Sequence, residues 1–172
     1  MSAKRIPKYL AEAIGTFCLV FAGTGAIVIN QVSSGQITNL GIGLVFGLVV
    51  LAMIYAIGHI SGAHMNPAVT LGFLSAGRLP IQEAASYIAA QLGGAVVASL
   101  VLRLIFPDAG TLGATVPLGS LLQSFLLEAI MTFILMFVIM GVATDHRAQG
   151  VMAGVAIGAT IALEAILGGP IS

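Results

Sequence analysis

The chain has 172 residues, 59% of them hydrophobic and only 7% charged, with six basic side chains set against six acidic ones. Together with a mean hydropathy of +1.12, this excludes a water-soluble globular domain and points to an integral helical membrane protein. The zero net charge argues against nucleic acid or an acidic macromolecule as partner, and a single cysteine, Cys18, leaves no disulfide or cysteine metal site within one chain.

Lys4, Arg5 and Lys8 precede the first apolar run and imitate the start of a signal peptide. The run from Tyr9 to Ile29 is too long for that and carries Glu12, so it reads as a retained spanning helix. In chain order the spans fall at about 9–30, 38–59, 82–106, 120–143 and 149–167. Gly35 marks the first turn and Arg78-Leu79-Pro80 the second. Pro107-Asp108-Ala109-Gly110 opens a loop running to Leu118, and Asp145-His146-Arg147 makes the last turn. With the N-terminus inside, Lys4, Arg5, Lys8, Arg78 and Arg147 are cytoplasmic and only Arg103 lies outside. The positive-inside rule therefore predicts a multi-pass protein of the cell membrane, plasma or bacterial inner, with a cytoplasmic N-terminus.

Between the second and third spans, Gly58 to Thr70 interrupts the oily pattern with the grammar of a helix start. Asn66 is a strong N-cap, and Pro67 suits the first helical position because its missing N–H costs nothing there. The small Ser61-Gly62-Ala63 before it predicts extended chain. From Asn66 to the Gly77-Arg78 break there is room for about 10 helical residues, roughly 15 Å or half a bilayer. The expectation is a re-entrant half-helix entering from the cytoplasm, which a membrane tolerates only where the irregular backbone is buried in protein or lines a wet cavity.

The sequence also repeats itself. Ala11-Glu12-Ala13-Ile14-Gly15-Thr16-Phe17 recurs as Leu127-Glu128-Ala129-Ile130-Met131-Thr132-Phe133, and Phe21 is answered by Phe137. Further on, Gly43, Gly47, Gly58, Ile60 and Ser61 match Gly154, Gly158, Gly169, Ile171 and Ser172. The second copy begins three spans after the first, so the halves run in opposite senses through the membrane. Such inverted repeats place a solute site near the midplane. The first repeat takes residues 1–118 and the second, incomplete, residues 119–172. Gly43-x-x-x-Gly47 and Gly154-x-x-x-Gly158 predict close approach of their two helices. No counterpart of Gly62 to Thr70 follows Ser172, which leaves two readings: a piece of a longer protein, or a natural short form.

Ser61-Gly62-Ala63-His64-Met65-Asn66-Pro67-Ala68-Val69-Thr70, with the two Glu-bearing first helices, resembles the major intrinsic protein family, the aquaporins and glycerol facilitators. The surroundings of Phe46 and the Gly169-Pro170-Ile171-Ser172 ending look most like its bacterial and nodulin-like members. The resemblance implies six tilted helices, of which five are present here, two half-helices meeting at their Asn-Pro-Ala caps, a pore in each subunit and a homotetramer. A second Asn-Pro-Ala and the filter arginine that follows it in the family are absent. The resemblance places Phe46 and Ala165 at two of the four positions of the narrow outer filter, where water-selective members carry a histidine at the site of Ala165. It also gives Glu12 and Glu128 the role of buttressing the loops.

The chemistry can be argued from the residues themselves. The Asn66 oxygen caps the half-helix and leaves its NH2 to donate to a passing solute. The carbonyls of Gly62, Ala63, His64 and Met65, if extended, accept in turn and replace hydration. Pro67 and Ala68 open the half-helix, whose N-terminus brings roughly half a positive charge to the midplane and opposes cations. Glu12 and Glu128 are intramembrane carboxylates, which by default mark ion paths; each also lies on the side of its own repeat's loop, whose N–H groups it can accept. His64 orients the loop and narrows the cytoplasmic mouth, and the Met65 side chain fills space. His59 is an interfacial helix-end residue, and Glu164 has no assignable partner. Nothing points to an enzyme, a metal site or a cofactor. The expected function is passive permeation of water and small uncharged solutes such as glycerol through the lipid bilayer. Two alternatives stand beside it: an ion-coupled secondary transporter using Glu12, Glu128 and Glu164, and a non-conducting fragment that needs a further segment.

Overall fold

A computed structural model describes residues 5–144 and 152–171. Expectations for Lys4, for the Asp145-His146-Arg147 turn, for residues 149–151 of the fifth span and for the Ser172 match lie outside the described residues. All described regular structure is helical: α1 (Ile6–Val32), α2 (Thr38–Ser61), α3 (Pro67–Ser75), α4 (Ile81–Ile105), α5 (Leu121–Thr144) and α6 (Ala153–Gly168). Four of them, α1, α2, α4 and α5, are long and apolar enough to cross a membrane. In lipid every backbone polar group must be satisfied within its own segment, which is why these apolar runs form helices. The 16 residues of α6 would span about 24 Å, shorter than those four. Large apolar side chains stand on the outside, among them Leu104, Leu121 and Phe137, as a lipid-facing surface requires.

Boundaries follow local chemistry. Gly35, at φ +91°, takes the left-handed conformation that closes the turn after α1, and its N–H reaches the Asn30 carbonyl at 2.7 Å. The α3 helix begins with Asn66 as cap and Pro67 at its first position, and it is nine residues long. The α2 helix runs on through Ser61, so the irregular stretch starts one residue later than the small Ser61-Gly62-Ala63 run predicts.

The chain divides into two compact units. One holds residues up to Phe21 together with Met53–Pro107; the other holds Ala22–Ala52 and the residues from Asp108 onward. The first unit is polar inside. Glu12, Thr16, Ser61, His64, Thr70, Glu83 and Gln91 are all buried. Here α1 and α4 touch backbone to backbone, because a Cβ at Gly94 would collide with the Ala13 carbonyl and stand 3.1 Å from the Phe17 nitrogen.

In the second unit the close contact is between α2 and α6. A Cβ at Gly47 would strike the Gly158 carbonyl and lie 2.6 Å from the Ala162 Cβ, and one at Gly43 would lie 2.9 Å from the Ala162 carbonyl. Asn39 ties the same pair by donating from Nδ2 to the Ile166 carbonyl at 2.7 Å. Small residues give membrane helices their packing energy, since lipid supplies no hydrophobic drive between them. Gly47→Ala is therefore expected to destabilise the fold by about 1–3 kcal/mol, as overpacking does elsewhere. Thermal unfolding in detergent measures this, and a variant as stable as the parent would show that the two helices slide apart at no cost.

Candidate functional site

The site is the stretch from Gly62 to Asn66 between α2 and α3. Its backbone is unusual: φ is +90° at Gly62, +50° at Ala63 and +50° at Met65, with a negative φ at His64 between them. The sequence predicts extended chain for Ser61-Gly62-Ala63, but Ser61 ends α2 and Gly62 and Ala63 are left-handed; Asn66 is extended, with φ −149° and ψ 127°. For non-glycine residues the left-handed region costs roughly 1–2 kcal/mol each, so something must hold Ala63 and Met65 there. That something is Glu12. Its Oε1 accepts from the His64 N–H at 2.9 Å, and its Oε2 accepts from the Met65 N–H at 2.7 Å. Alternating torsions of this kind turn successive N–H groups into a concave nest for an anion; here the anion is a side chain of α1.

The N–H groups of Gly62 and Ala63 are also engaged. Gly62 donates to the Gly58 carbonyl at 2.9 Å, and Ala63 donates to Ser61 Oγ at 3.1 Å. With the donors of residues 62–65 turned into the protein, the four carbonyls of Gly62, Ala63, His64 and Met65 accept no hydrogen bond from any described residue. They are acceptors held ready by donors that are fully occupied. Asn66 completes the row. Its Oδ1 caps α3 by accepting from the Ala68 N–H at 2.8 Å, which leaves Nδ2 as the donor.

A second layer fixes Glu12. Ser61 Oγ donates to Oε1 at 2.6 Å, and Gln91 Nε2 donates to Oε2 at 2.7 Å. Gln91 also donates to Thr70 Oγ1 at 2.9 Å, and Thr70 Oγ1 lies 3.2 Å from His64 Nδ1. The Thr70 hydroxyl, which accepts from Gln91, thus links that carboxamide to the imidazole. The His64 ring stacks on Phe73 of α3 at 4.4 Å and meets the edge of Tyr87 at 5.2 Å. The ring is buried there. Tyr87 in turn donates from its hydroxyl to the Ser61 carbonyl at 2.8 Å. At the end of the same helix face, Glu83 pairs with Lys8 at 2.7 Å. Sequence reasoning missed Glu83, Tyr87 and Gln91. Their signal was a polar stripe at i, i+4 and i+8 on an otherwise apolar helix.

Phe46 and Ala165 belong to the second unit, on the two helices that meet at Gly43 and Gly47. Phe46 is half-buried, its ring lying in the space that a Cβ on Gly23 would take. Ala165, also half-buried, offers its carbonyl to the Gly169 N–H at 3.1 Å. Glu128 is exposed on α5, in contrast to the fully buried Glu12. Glu164 is buried on α6, and its Oε1 has no hydrogen-bonding partner among the described residues.

The family model for major intrinsic proteins matches residues 1–172. Aquaporin NIP1-1 of Zea mays is 51% identical over 173 residues, covering 100% of this chain and 61% of that protein. Nodulin-26 of Glycine max is 49% identical over 173 residues, covering 100% of this chain and 64% of its own length. The chain thus spans about three-fifths of the curated relatives it matches. Among solved structures, the aquaglyceroporin from Plasmodium falciparum aligns with a TM-score of 0.79 at 24% identity, over 94% of this chain and 70% of that one. That likeness concerns the fold.

Proposed function

The chain belongs to the major intrinsic protein family, and we propose that it forms a passive pore for water and small neutral solutes such as glycerol. The observation that carries this reading is the polarity of the loop from Gly62 to Asn66. Every N–H of residues 62–65 is bound inside the protein, while four carbonyls and one carboxamide NH2 are left to exchange with the hydration shell of a solute. A neutral hydrogen-bonding molecule can pass such a row without protonating anything. The N-terminal end of α3, with its partial positive charge, disfavours cations at the same place.

Further parts of the proposal rest on the family. Pro67 and Ala68 present the half-helix end at the midplane. Phe46 and Ala165 form part of a narrower outer constriction, and Glu128 repeats the buttressing role of Glu12 in the second repeat. The repeats divide at 118 and 119, the working assembly is a homotetramer, and the N-terminus lies in the cytoplasm of a plasma or inner membrane.

The competing reading, an ion-coupled transporter, needs carboxylates free to change protonation. Glu12 is poorly suited to it, because four donors fill its two oxygens. Proteoliposomes carrying the full reading frame separate the two. We expect osmotic water flux and polyol entry with low activation energy, unchanged when a pH gradient is imposed. Uptake that follows the gradient, or that halts when the gradient collapses, would assign the protein to the transporter class.

A further inference from the structure

We propose that Thr16 and Gln91 hold a single ordered water between α1 and α4, immediately behind the Glu12 carboxylate. Two buried polar atoms of the first unit lack a hydrogen-bonding partner among the described residues, Thr16 Oγ1 and Gln91 Oε1. Thr16 is 4% exposed and Gln91 0%, so neither atom reaches bulk solvent or the headgroups.

The two residues belong to the same short interval of two helices in contact. Gly94 lies between Ala13 and Phe17 of α1, which sets that turn of α4 beside the turn carrying Thr16. Gln91 is one turn earlier on α4, where its Nε2 meets Glu12. Thr16 is one turn later than Glu12 on the same buried face of α1. Thr16 and Gln91 therefore stand within about one turn of the carboxylate, on two helices in contact.

The orphan oxygen is not a mistaken amide orientation. Nε2 donates at once to Glu12 Oε2 and to Thr70 Oγ1, and reversing the amide would set its oxygen against a carboxylate. Oε1 must point away and can only accept. A threonine inside a helix ordinarily relieves its hydroxyl by donating to the carbonyl one turn back, as Thr160 does to Ala156 at 2.9 Å. Thr16 makes no such bond. One acceptor and one hydroxyl, both buried and unpartnered, with a carboxylate network beside them, are the setting in which a buried water with two to four polar partners is retained. This water belongs to the scaffold: it stiffens the support of Glu12 and does not join the stream in the pore. The inference therefore holds whatever solute is carried.

A structure of the protein in lipid at about 2 Å or better tests it directly. We expect one density peak within hydrogen-bonding distance of both Thr16 Oγ1 and Gln91 Oε1, and its loss in Thr16→Val, which keeps the shape and removes the hydroxyl. The stability of that variant gives a second reading through its sign. If the water is there, Thr16→Val removes one of its anchors and the melting temperature falls by about 2–4 °C. If the hydroxyl is simply unsatisfied, removing it leaves the melting temperature unchanged or raises it. An empty interface, a direct Thr16–Gln91 bond, or a valine variant at least as stable as the parent overturns the proposal. Should the variant fail to fold, the density in the parent decides alone.

Discussion

Replacing Glu12 by leucine is expected to abolish the folded, detergent-stable protein. The carboxylate takes four hydrogen bonds at 2.6–2.9 Å from Ser61, His64, Met65 and Gln91, and it is completely buried. Leucine fills the volume but leaves two backbone amides, a carboxamide and a hydroxyl without an acceptor. At about 1–3 kcal/mol for each unsatisfied buried group, the sum approaches the roughly 5–15 kcal/mol by which a typical protein is stable. The left-handed torsions at Ala63 and Met65 would lose the contact that holds them, so the loop would relax before the helices part. Glu12→Gln should fall between leucine and the parent. One of its two terminal atoms can still accept, but the other becomes an NH2 facing donors. Size-exclusion profiles and thermal unfolding in detergent rank the three proteins, and shrinkage rates of vesicles report the pore. A leucine variant that stays monodisperse and conducts water at the parental rate would remove Glu12 from the role assigned to it.

The contrast between Glu12 and its surroundings also shows what a sequence can disclose about such a site. A carboxylate inside a 27-residue apolar helix has to find donors, and the nearest irregular backbone was the Asn66 loop; that pairing was readable. So were the Asn-Pro start of α3 and four of the spans, α1, α2, α4 and α5, whose ends the structure places within a few residues of the hydropathy pattern. The torsions of Ala63 and Met65 were not readable, because non-glycine residues rarely adopt positive φ without an external hold. The hold comes from α1, about 50 residues away in sequence, so no local rule can see it. The ring neighbours of His64 were not readable for a related reason. Its neighbours Phe73 and Tyr87 are unremarkable residues one at a time, and only the folded unit closes them around the ring. Gln91 and Tyr87 did leave a trace, a polar stripe on α4, which a helical plot of that segment reveals once the helix is granted.

The other large effect concerns width in the second unit. Phe46 is a bulky aromatic side chain on α2, and Ala165 is a small one on α6, two helices that meet closely at Gly43, Gly47 and Gly158. On the proposed reading these residues share one constriction, with Phe46 as a wall and Ala165 as the open side. An imidazole at position 165 would occupy that open side and add a hydrogen-bonding group able to replace part of the shell of water. In the full reading frame, Ala165→His is therefore expected to cut glycerol or other small-polyol flux at least tenfold while water flux changes about twofold or less. A tenfold fall corresponds to a barrier rise of about 1.4 kcal/mol, which the crowding of a carbon backbone in a narrowed passage readily exceeds. Water, a single hydrogen-bonding centre, still fits. Paired swelling assays with water and polyol gradients, on vesicles of matched protein content, read the ratio directly. Equal loss of both fluxes would point to a distorted α2–α6 contact, and no change in either would mean that Ala165 faces something other than the passage. Only a selective loss of the larger solute supports the placement of Phe46 and Ala165 in the filter.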